Sequence, residues 1–251
     1  KMSRRAVALT FGLHEQTVLK IFKKKAKEVL RKPQNHLVRV LGVDEIYLGG
    51  KNYVLILSDI DKRRIITILS DRKKDTLVKY FESLSQKQRK AIKVVSMDMW
   101  RPYWSAVRQK LSHARIVVDR FHVMKQLNHQ LDLLRRKLRR DEEDNSKLSE
   151  LLKNSRWILL KNRDDLSQQE ENKLQLILAA SVRLRRMYLM KEEFRLICNR
   201  IKNKKQASRF LRYWLFRAEY SGCRYLKRFA KTLRNWRQEF LNYFIEGITQ
   251  G

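Results

Sequence analysis

The stretch Val38-Arg39-Val40-Leu41-Gly42-Val43-Asp44-Glu45-Ile46-Tyr47-Leu48 decides how this chain is read. Its first half is a run of mostly β-branched and aliphatic residues, the composition of a buried strand. Its second half sets an acid, Asp44, into that run. Ile92-Lys93-Val94-Val95-Ser96-Met97-Asp98 repeats the arrangement, an apolar run closed by an aspartate. A carboxylate is costly to bury unless it is paired or holds a metal. Two such acids on two buried strands therefore suggest two arms of one metal site. Side chains alternate along a strand, so Asp44 shares a face with Gly42 and Ile46, and the small Gly42 is expected to leave room beside the carboxylate.

Two more apolar runs follow the first, Tyr53-Val54-Leu55-Ile56-Leu57-Ser58 and Arg64-Ile65-Ile66-Thr67-Ile68-Leu69. Gly49-Gly50-Lys51-Asn52 and Asp59-Ile60-Asp61-Lys62 separate the three runs with hairpin-turn residues, which predicts a three-stranded antiparallel meander. Leu77, Val78, Phe81 and Leu84 recur at helical spacing over 74–84. A fourth strand ends at Asp98. Pro102 suits the first turn of a helix running through Leu111, and Arg115-Ile116-Val117-Val118-Asp119 is a fifth strand. The order is that of an α/β layered domain, its later strands joined by helical crossovers and so expected to be parallel. In such sheets function gathers at strand ends. If strands one and four are neighbours, Asp44 and Asp98 meet and can hold one or two Mg²⁺ (or Mn²⁺) ions. Magnesium prefers oxygen ligands and takes one or two protein carboxylates together with phosphate. A two-ion site activates an attacking hydroxyl and stabilises the leaving oxygen in phosphoryl transfer. A lone strand-end aspartate is more often a cap or turn acid; the pair is the more specific signal.

Composition points to the partner. The 251 residues carry 58 Lys/Arg against 26 Asp/Glu, a net charge of +32. That is far beyond the need of solubility and calls for a polyanion, nucleic acid first and an anionic membrane surface as competitor. No apolar run is long enough to span a bilayer and no N-terminal segment reads as a signal peptide, so the expected location is cytoplasmic and nucleoid-associated. Cys198 and Cys223, far apart and outside any CxxC pair, argue against a disulfide framework or a cysteine-only zinc site. With 7 Gly and 2 Pro, long helices are expected over much of the chain.

Residues 1–36 form the first division. Ser3 is a candidate N-cap for a helix through Phe11, with Ala6, Leu9 and Thr10 facing inward. Gly12 breaks it, and a second helix follows from His14 with Val18, Ile21 and Phe22 at helical spacing. Two short helices hinged at a glycine make a helix-turn-helix signature. The second helix would offer His14, Gln16 and Thr17 to base edges, with Lys20, Lys23 and Lys24 near phosphates. This division holds ten Lys/Arg and two acids. An ordinary basic helical hairpin is the plain alternative. Pro33 and Gln34-Asn35 mark a linker.

Three runs, Gly42-Val43-Asp44-Glu45, Met97-Asp98-Met99-Trp100 with Pro102-Tyr103, and Val118-Asp119-Arg120-Phe121-His122-Val123, resemble bacterial insertion-sequence transposases of the ISL-three family. The resemblance spans nearly the whole chain. It implies a DDE catalytic domain of RNase H-like fold over residues 37–125, with Asp44 and Asp98 as the first and second catalytic acids. It further implies strand cleavage and transfer at terminal inverted repeats and target DNA, and a homodimer working on two DNA ends. Asp119-Arg120-Phe121-His122 is its most specific local signature. His122 would follow a strand end, to touch phosphate or assist proton transfer, or it is a structural histidine bonded to Asp119 or backbone. A non-joining RNase H-like nuclease and a non-catalytic helix-turn-helix regulator are the competing functions.

Residues 126–251 read as helical, and in the resemblance as the family's helical insertion between the second and third acids. Val123, Leu127, Leu131 and Leu134 give a long amphipathic helix. Further helices are expected near 146–160, 167–191, 193–201, 205–218 and 223–243, with breaks at Asn162–Asp165 and Ser221-Gly222. Trp157, Trp214 and Trp236 are expected in the core. Arg209, Arg212, Arg217, Arg224, Lys227, Arg228 and Lys231 could line DNA backbone or form a solvated face. The resemblance further implies a third catalytic acid, in a Glu-Gly-x-Asn setting after a Thr-Asn-Gly-like turn. Thr249-Gln250-Gly251 resembles that turn, which places the acid beyond Gly251, and Glu246 reads as a helix-end residue. On that reading the chain, clipped at both ends, binds DNA and a divalent ion without cutting or joining strands efficiently.

Overall fold

A computed structural model of the chain describes residues 3–30, 37–49, 52–141 and 147–247. The linker at Pro33 to Asn35, turn residues Gly50 and Lys51, the acidic residues Glu142 to Asp144 and the terminal Thr249-Gln250-Gly251 lie outside them. The chain divides into two compact units, the first running to Ile116 and the second from Val117.

The first unit opens with α1 (Arg4–Thr10) and α2 (Glu15–Leu30). Ser3 caps α1, its Oγ accepting from the Ala6 N–H at 3.1 Å. Gly12 sits between the helices at φ +61°, where a side chain is strained. The expectation that Leu9 and Thr10 face inward is corrected: Leu9 is 75% exposed, Thr10 is exposed too, and Ala8 is the buried residue. A two-turn helix packs closest through its smallest side chain. Arg4 anchors the pair, bridging Glu15 at 3.1 Å and donating to the Leu48 carbonyl at 3.1 Å.

The sheet is mixed and has the order β3-β2-β1-β4-β5. The strands are β1 (Val40–Gly49), β2 (Asn52–Asp59), β3 (Arg64–Leu69), β4 (Val94–Met97) and β5 (Arg115–Val118). β1, β2 and β3 form the antiparallel meander expected from the turn residues. β4 joins the other side of β1 in parallel. Between β3 and β4 lie α3 (Lys74–Ser83) and α4 (Gln86–Ala91), and between β4 and β5 lies α5 (Arg101–Lys110). α4 was not expected, because Gln-Lys-Gln-Arg-Lys-Ala has no apolar period. It exists through its cap: Ser85 and Gln88 close a reciprocal capping box. Leu77 and Phe81 on α3 meet α5, whose Tyr103, Ala106 and Val107 are buried. Each such large apolar side chain stabilises the fold by roughly 1.5–3 kcal/mol.

The second unit is helical apart from the end of β5. It comprises α6 (Arg120–Asp141), α7 (Lys147–Leu152), α8 (Arg156–Leu160), a short tight turn at Arg163–Asp165, α9 (Gln168–Ala180), α10 (Val182–Arg200), α11 (Lys204–Glu219), α12 (Arg224–Asn235) and α13 (Arg237–Glu246). Val123, Leu127, Leu131 and Leu134 are all buried on α6, as their spacing predicts. The single helix expected at 167–191 is two. Ser181 adopts an extended conformation and caps α10 by accepting from the Leu184 N–H at 3.3 Å. Phe194 centres the core, with ring centroids 5.1 Å from Trp214 and 5.5 Å from Phe229 and Phe240. Trp214 and Trp236 are buried as expected. Trp157 is not: it is 64% exposed, its ring covered on one face by the Arg156 guanidinium at 4.8 Å.

Candidate active site

β1 runs from core to solvent. Val40 to Val43 are buried, Asp44 and Glu45 are half-buried, and Ile46 and Tyr47 are exposed. Asp44 therefore stands at the edge of the core. On the neighbouring parallel strand, Val43 faces Met97 in register. Asp44 and Asp98 each lie one residue beyond that pair, at corresponding positions of strands about 4.8 Å apart. Asp98 is half-buried as well. Each carboxylate is oriented by the peptide that follows it. Asp44 Oδ1 accepts from the Glu45 N–H at 2.9 Å, and Asp98 Oδ1 accepts from the Met99 N–H at 2.6 Å. The structure thus places the two sequence-identified acids at corresponding positions of adjacent parallel strands, Asp44 midway along β1 and Asp98 just past the C-terminal end of β4.

The space beside them is not what the sequence suggested. A Cβ on Gly42 would run into Ser58 Oγ and lie 3.2 Å from Ile60 Cγ1. Gly42 leaves no room for a ligand. It admits Ser58 and Ile60 to the strand, and so fixes the layer beneath Asp44.

Glu45 belongs to the opposite face. It accepts from the Tyr103 hydroxyl at 3.4 Å and pairs with Arg72 at 3.2 Å. The Arg72 guanidinium stacks over Tyr53 at 3.9 Å from the ring centroid. Burial, and next the charge of Glu45, hold the Tyr103 phenol well above its usual range, with Asp98 a smaller contributor. These residues tie α5, and the turn after β3, to the strand that carries Asp44. Sequence reasoning quoted Tyr103 only as part of a motif and missed Arg72, which sits in a polar turn with no periodic signal. Among the described residues, no three His, Cys, Asp or Glu side chains gather as a metal-binding group.

Asp119 and His122 lie in the second unit at the β5–α6 junction. Asp119 is 3% exposed, and its Oδ1 accepts from the Phe121 N–H at 3.0 Å, capping α6. The His122 N–H bonds the Asp119 carbonyl at 3.1 Å, and its ring meets Phe121 edge-on at 5.4 Å. Glu246 is the last residue of α13, followed by Gly247 in the left-handed conformation. On α2, Gln16, Thr17, Lys20, Lys23 and Lys24 are exposed and fall on one helical face. His14 precedes that helix, is exposed, and its Nδ1 accepts from the Gln16 N–H at 3.3 Å.

A mixed sheet with aspartates at corresponding positions of two adjacent parallel strands defines a class of α/β protein with an acidic site on its central strands. Comparison with known proteins narrows the class. A family model described as transposase, that of the DDE type of the ISL3 group, matches residues 41–251. The chain belongs to this transposase family. It is similar to the transposase for insertion sequence element IS1001 of Bordetella parapertussis, 28% identical over 233 residues that cover 92% of this chain. It is also similar to the transposase for IS1557 of Mycobacterium tuberculosis, in strains CDC 1551 and H37Rv, 27% identical over 180 residues. The chain spans 57% of the length of the first relative and 40% of the other. No helix among the described residues is long and apolar enough to cross a membrane.

Proposed function

We propose that this chain is the DNA-binding, metal-holding part of a DDE transposase. In that reading the protein cleaves and transfers DNA strands at the terminal inverted repeats of an insertion sequence. The observation that carries it is the β1–β4 register, whose last pair, Val43 and Met97, is followed in each case by an aspartate. Two half-buried carboxylates are a hard-oxygen donor set that fits Mg²⁺ or Mn²⁺. When bound, such ions activate the attacking hydroxyl and stabilise the leaving oxygen. The protein's own part is to hold both carboxylates in one orientation, through the backbone bonds from Glu45 and Met99, and to keep Glu45 on the other face with Arg72 and Tyr103.

The strand order supports an RNase H-like core over residues 37–125. The α1–Gly12–α2 arrangement supports a helix-turn-helix at 1–36, with His14, Gln16 and Thr17 toward bases and Lys20, Lys23 and Lys24 toward phosphates. Residues 126–251 are the helical insertion. Asp119 acts by capping α6, and in doing so presents His122 within the first turn as a contact for phosphate or a proton. The protein works on duplex DNA as a homodimer.

Local oxidative cleavage tests the site. Fe²⁺ replaces Mg²⁺ at carboxylate sites, and with ascorbate and peroxide it breaks the backbone nearby. Breaks near Asp44 and near Asp98, suppressed by excess Mg²⁺ and by Asp98→Asn, are expected. Breaks elsewhere, or none that Mg²⁺ suppresses, would leave a DNA-binding regulator as the better reading.

A further inference from the structure

α11 is buried through Ala207, Leu211, Trp214, Leu215 and Ala218. Its opposite face carries three rings in a row. Tyr213, Phe216 and Tyr220 are 61%, 56% and 76% exposed. Their spacing of three and then four residues stacks them along one face, and Phe216 and Tyr220 lie 4.6 Å apart between centroids. Three large rings left in water at helical spacing are a patch that calls for a partner. Their charge surroundings say which kind. Arg209 and Arg212 are exposed on the same side of the helix. The two acids of the neighbourhood are already engaged, Glu193 with Arg217 at 2.7 Å and Glu219 with Arg234. The face is therefore aromatic and positive.

We propose that this face of α11 is a stacking platform for unpaired DNA bases, with Tyr213, Phe216 and Tyr220 as the rings and Arg209 and Arg212 as the phosphate contacts. Bases inside a duplex are covered by their neighbours. A flat ring face can take only a base that is out of the stack. A second copy of this chain would bring the same positive charge to the face, which disfavours self-association through it. The inference rests on the DNA reading above and adds its substrate class: the second unit takes single-stranded nucleotides, such as those freed where strands are broken.

The experiment is a fluorescence-anisotropy titration of the chain with a labelled oligo-dT and, separately, with a labelled duplex. Tyr213→Ala, Phe216→Ala and Tyr220→Ala are each expected to weaken oligo-dT binding by roughly ten-fold, the size of one base–ring stack. Duplex binding and the thermal melt should stay as in wild type. Tyr213→Trp should retain binding, and Arg212→Gln should weaken it with the salt dependence of a lost phosphate contact. Unchanged oligo-dT binding in the ring variants, or an equal loss in both arms, overturns the inference. So does wild-type sedimentation as a dimer that the ring variants abolish, which would make the face a protein interface. Wild type that binds neither DNA is a failure of the DNA reading itself. Wild type that binds duplex but ignores the rings sinks the platform alone.

Discussion

Val43 faces Met97 across the parallel pairing of β1 and β4, and the next residue on each strand is an aspartate. Two acids 54 positions apart in the chain thereby come to corresponding positions of neighbouring strands, Asp44 within β1 and Asp98 one residue past β4. The pairing of the two strands sets their spacing, which favours precise placement of a ligand. Changes that disturb the strands should therefore disturb the site.

Gly42 offers the sharpest such change. A methyl group there meets Ser58 and Ile60, so Gly42→Ala should lower stability by about 1–3 kcal/mol, as overpacking does. Gly42→Val should abolish the folded first unit. Because Ser58 Oγ is the nearest obstacle, adding Ser58→Gly should restore part of the loss. Thermal melts of the single and double variants measure this, and strict additivity would contradict it.

Tyr103 has two separable parts. Its ring is buried and its hydroxyl bonds Glu45. Tyr103→Phe should cost no more than about 1.5 kcal/mol, the net worth of one hydrogen bond. Tyr103→Ala should cost about 3–5 kcal/mol through the cavity left behind. Chemical denaturation of the two variants distinguishes them.

Lys191 is 1% exposed, and its ammonium is held by the Leu159 and Lys161 carbonyls, each at 3.0 Å, and by Glu192 at 2.7 Å. Burial nevertheless holds its basicity below the usual lysine value of 10.5. Between that lowered value and 10.5 the unfolded chain binds the extra proton. This contribution to stability therefore rises with pH through the window and is lost as pH falls. Lys191→Met should flatten the difference, and at neutral pH should cost about 1–3 kcal/mol because two buried carbonyls lose their donor. Denaturation of wild type and variant across alkaline pH reads both effects.

Burial pushes the Cys198 thiol up from 9.0 to about 12. The thiolate is the reactive form, so Cys198 should resist Ellman's reagent at pH 8 in the native chain while the partly exposed Cys223 reacts. Both should react at once in denaturant. Above pH 9 the unfolded thiol ionises first, so this group favours unfolding up to about pH 12. Rapid native labelling of both cysteines would contradict the buried placement.

On α2, Lys20, Lys23 and Lys24 share an exposed face with Gln16 and Thr17. If they contact phosphates, changing all three to Gln should reduce the slope of log affinity against log salt on duplex DNA by roughly three. Gln16→Ala should instead change which sequence is preferred. An unchanged slope would remove α2 from the interface.

Much of the first unit was legible because its signals are local. Apolar runs, the turn at Asp59 to Lys62, and Pro102 at a helix start each act within a few residues. The pairing of β1 with β4 was expected only conditionally, since no local residue dictates which strand inserts beside which. Gly42 was misread because its size has two uses, and only the position of Ser58 and Ile60 decides between them. Helical spacing puts Leu9 and Trp157 in the core, yet the smaller Ala8 is the buried residue of α1, and Trp157 lies under Arg156 at the surface. Ser181 was lost inside an apolar period, though its serine cap was there to be seen. Arg72 left no signal at all: its importance comes from Glu45 and Tyr53, which are brought to it by the sheet.

Whether Asp44 and Asp98 hold one divalent-metal site between them is read by Mn²⁺ binding followed by electron paramagnetic resonance. Saturable Mn²⁺ binding that Mg²⁺ displaces is expected. Asp44→Asn and Asp98→Asn should each remove this binding while the thermal melt is kept, and Glu45→Gln should leave it in place. Binding that survives both aspartate changes, or that falls with Glu45→Gln alone, would contradict a shared site.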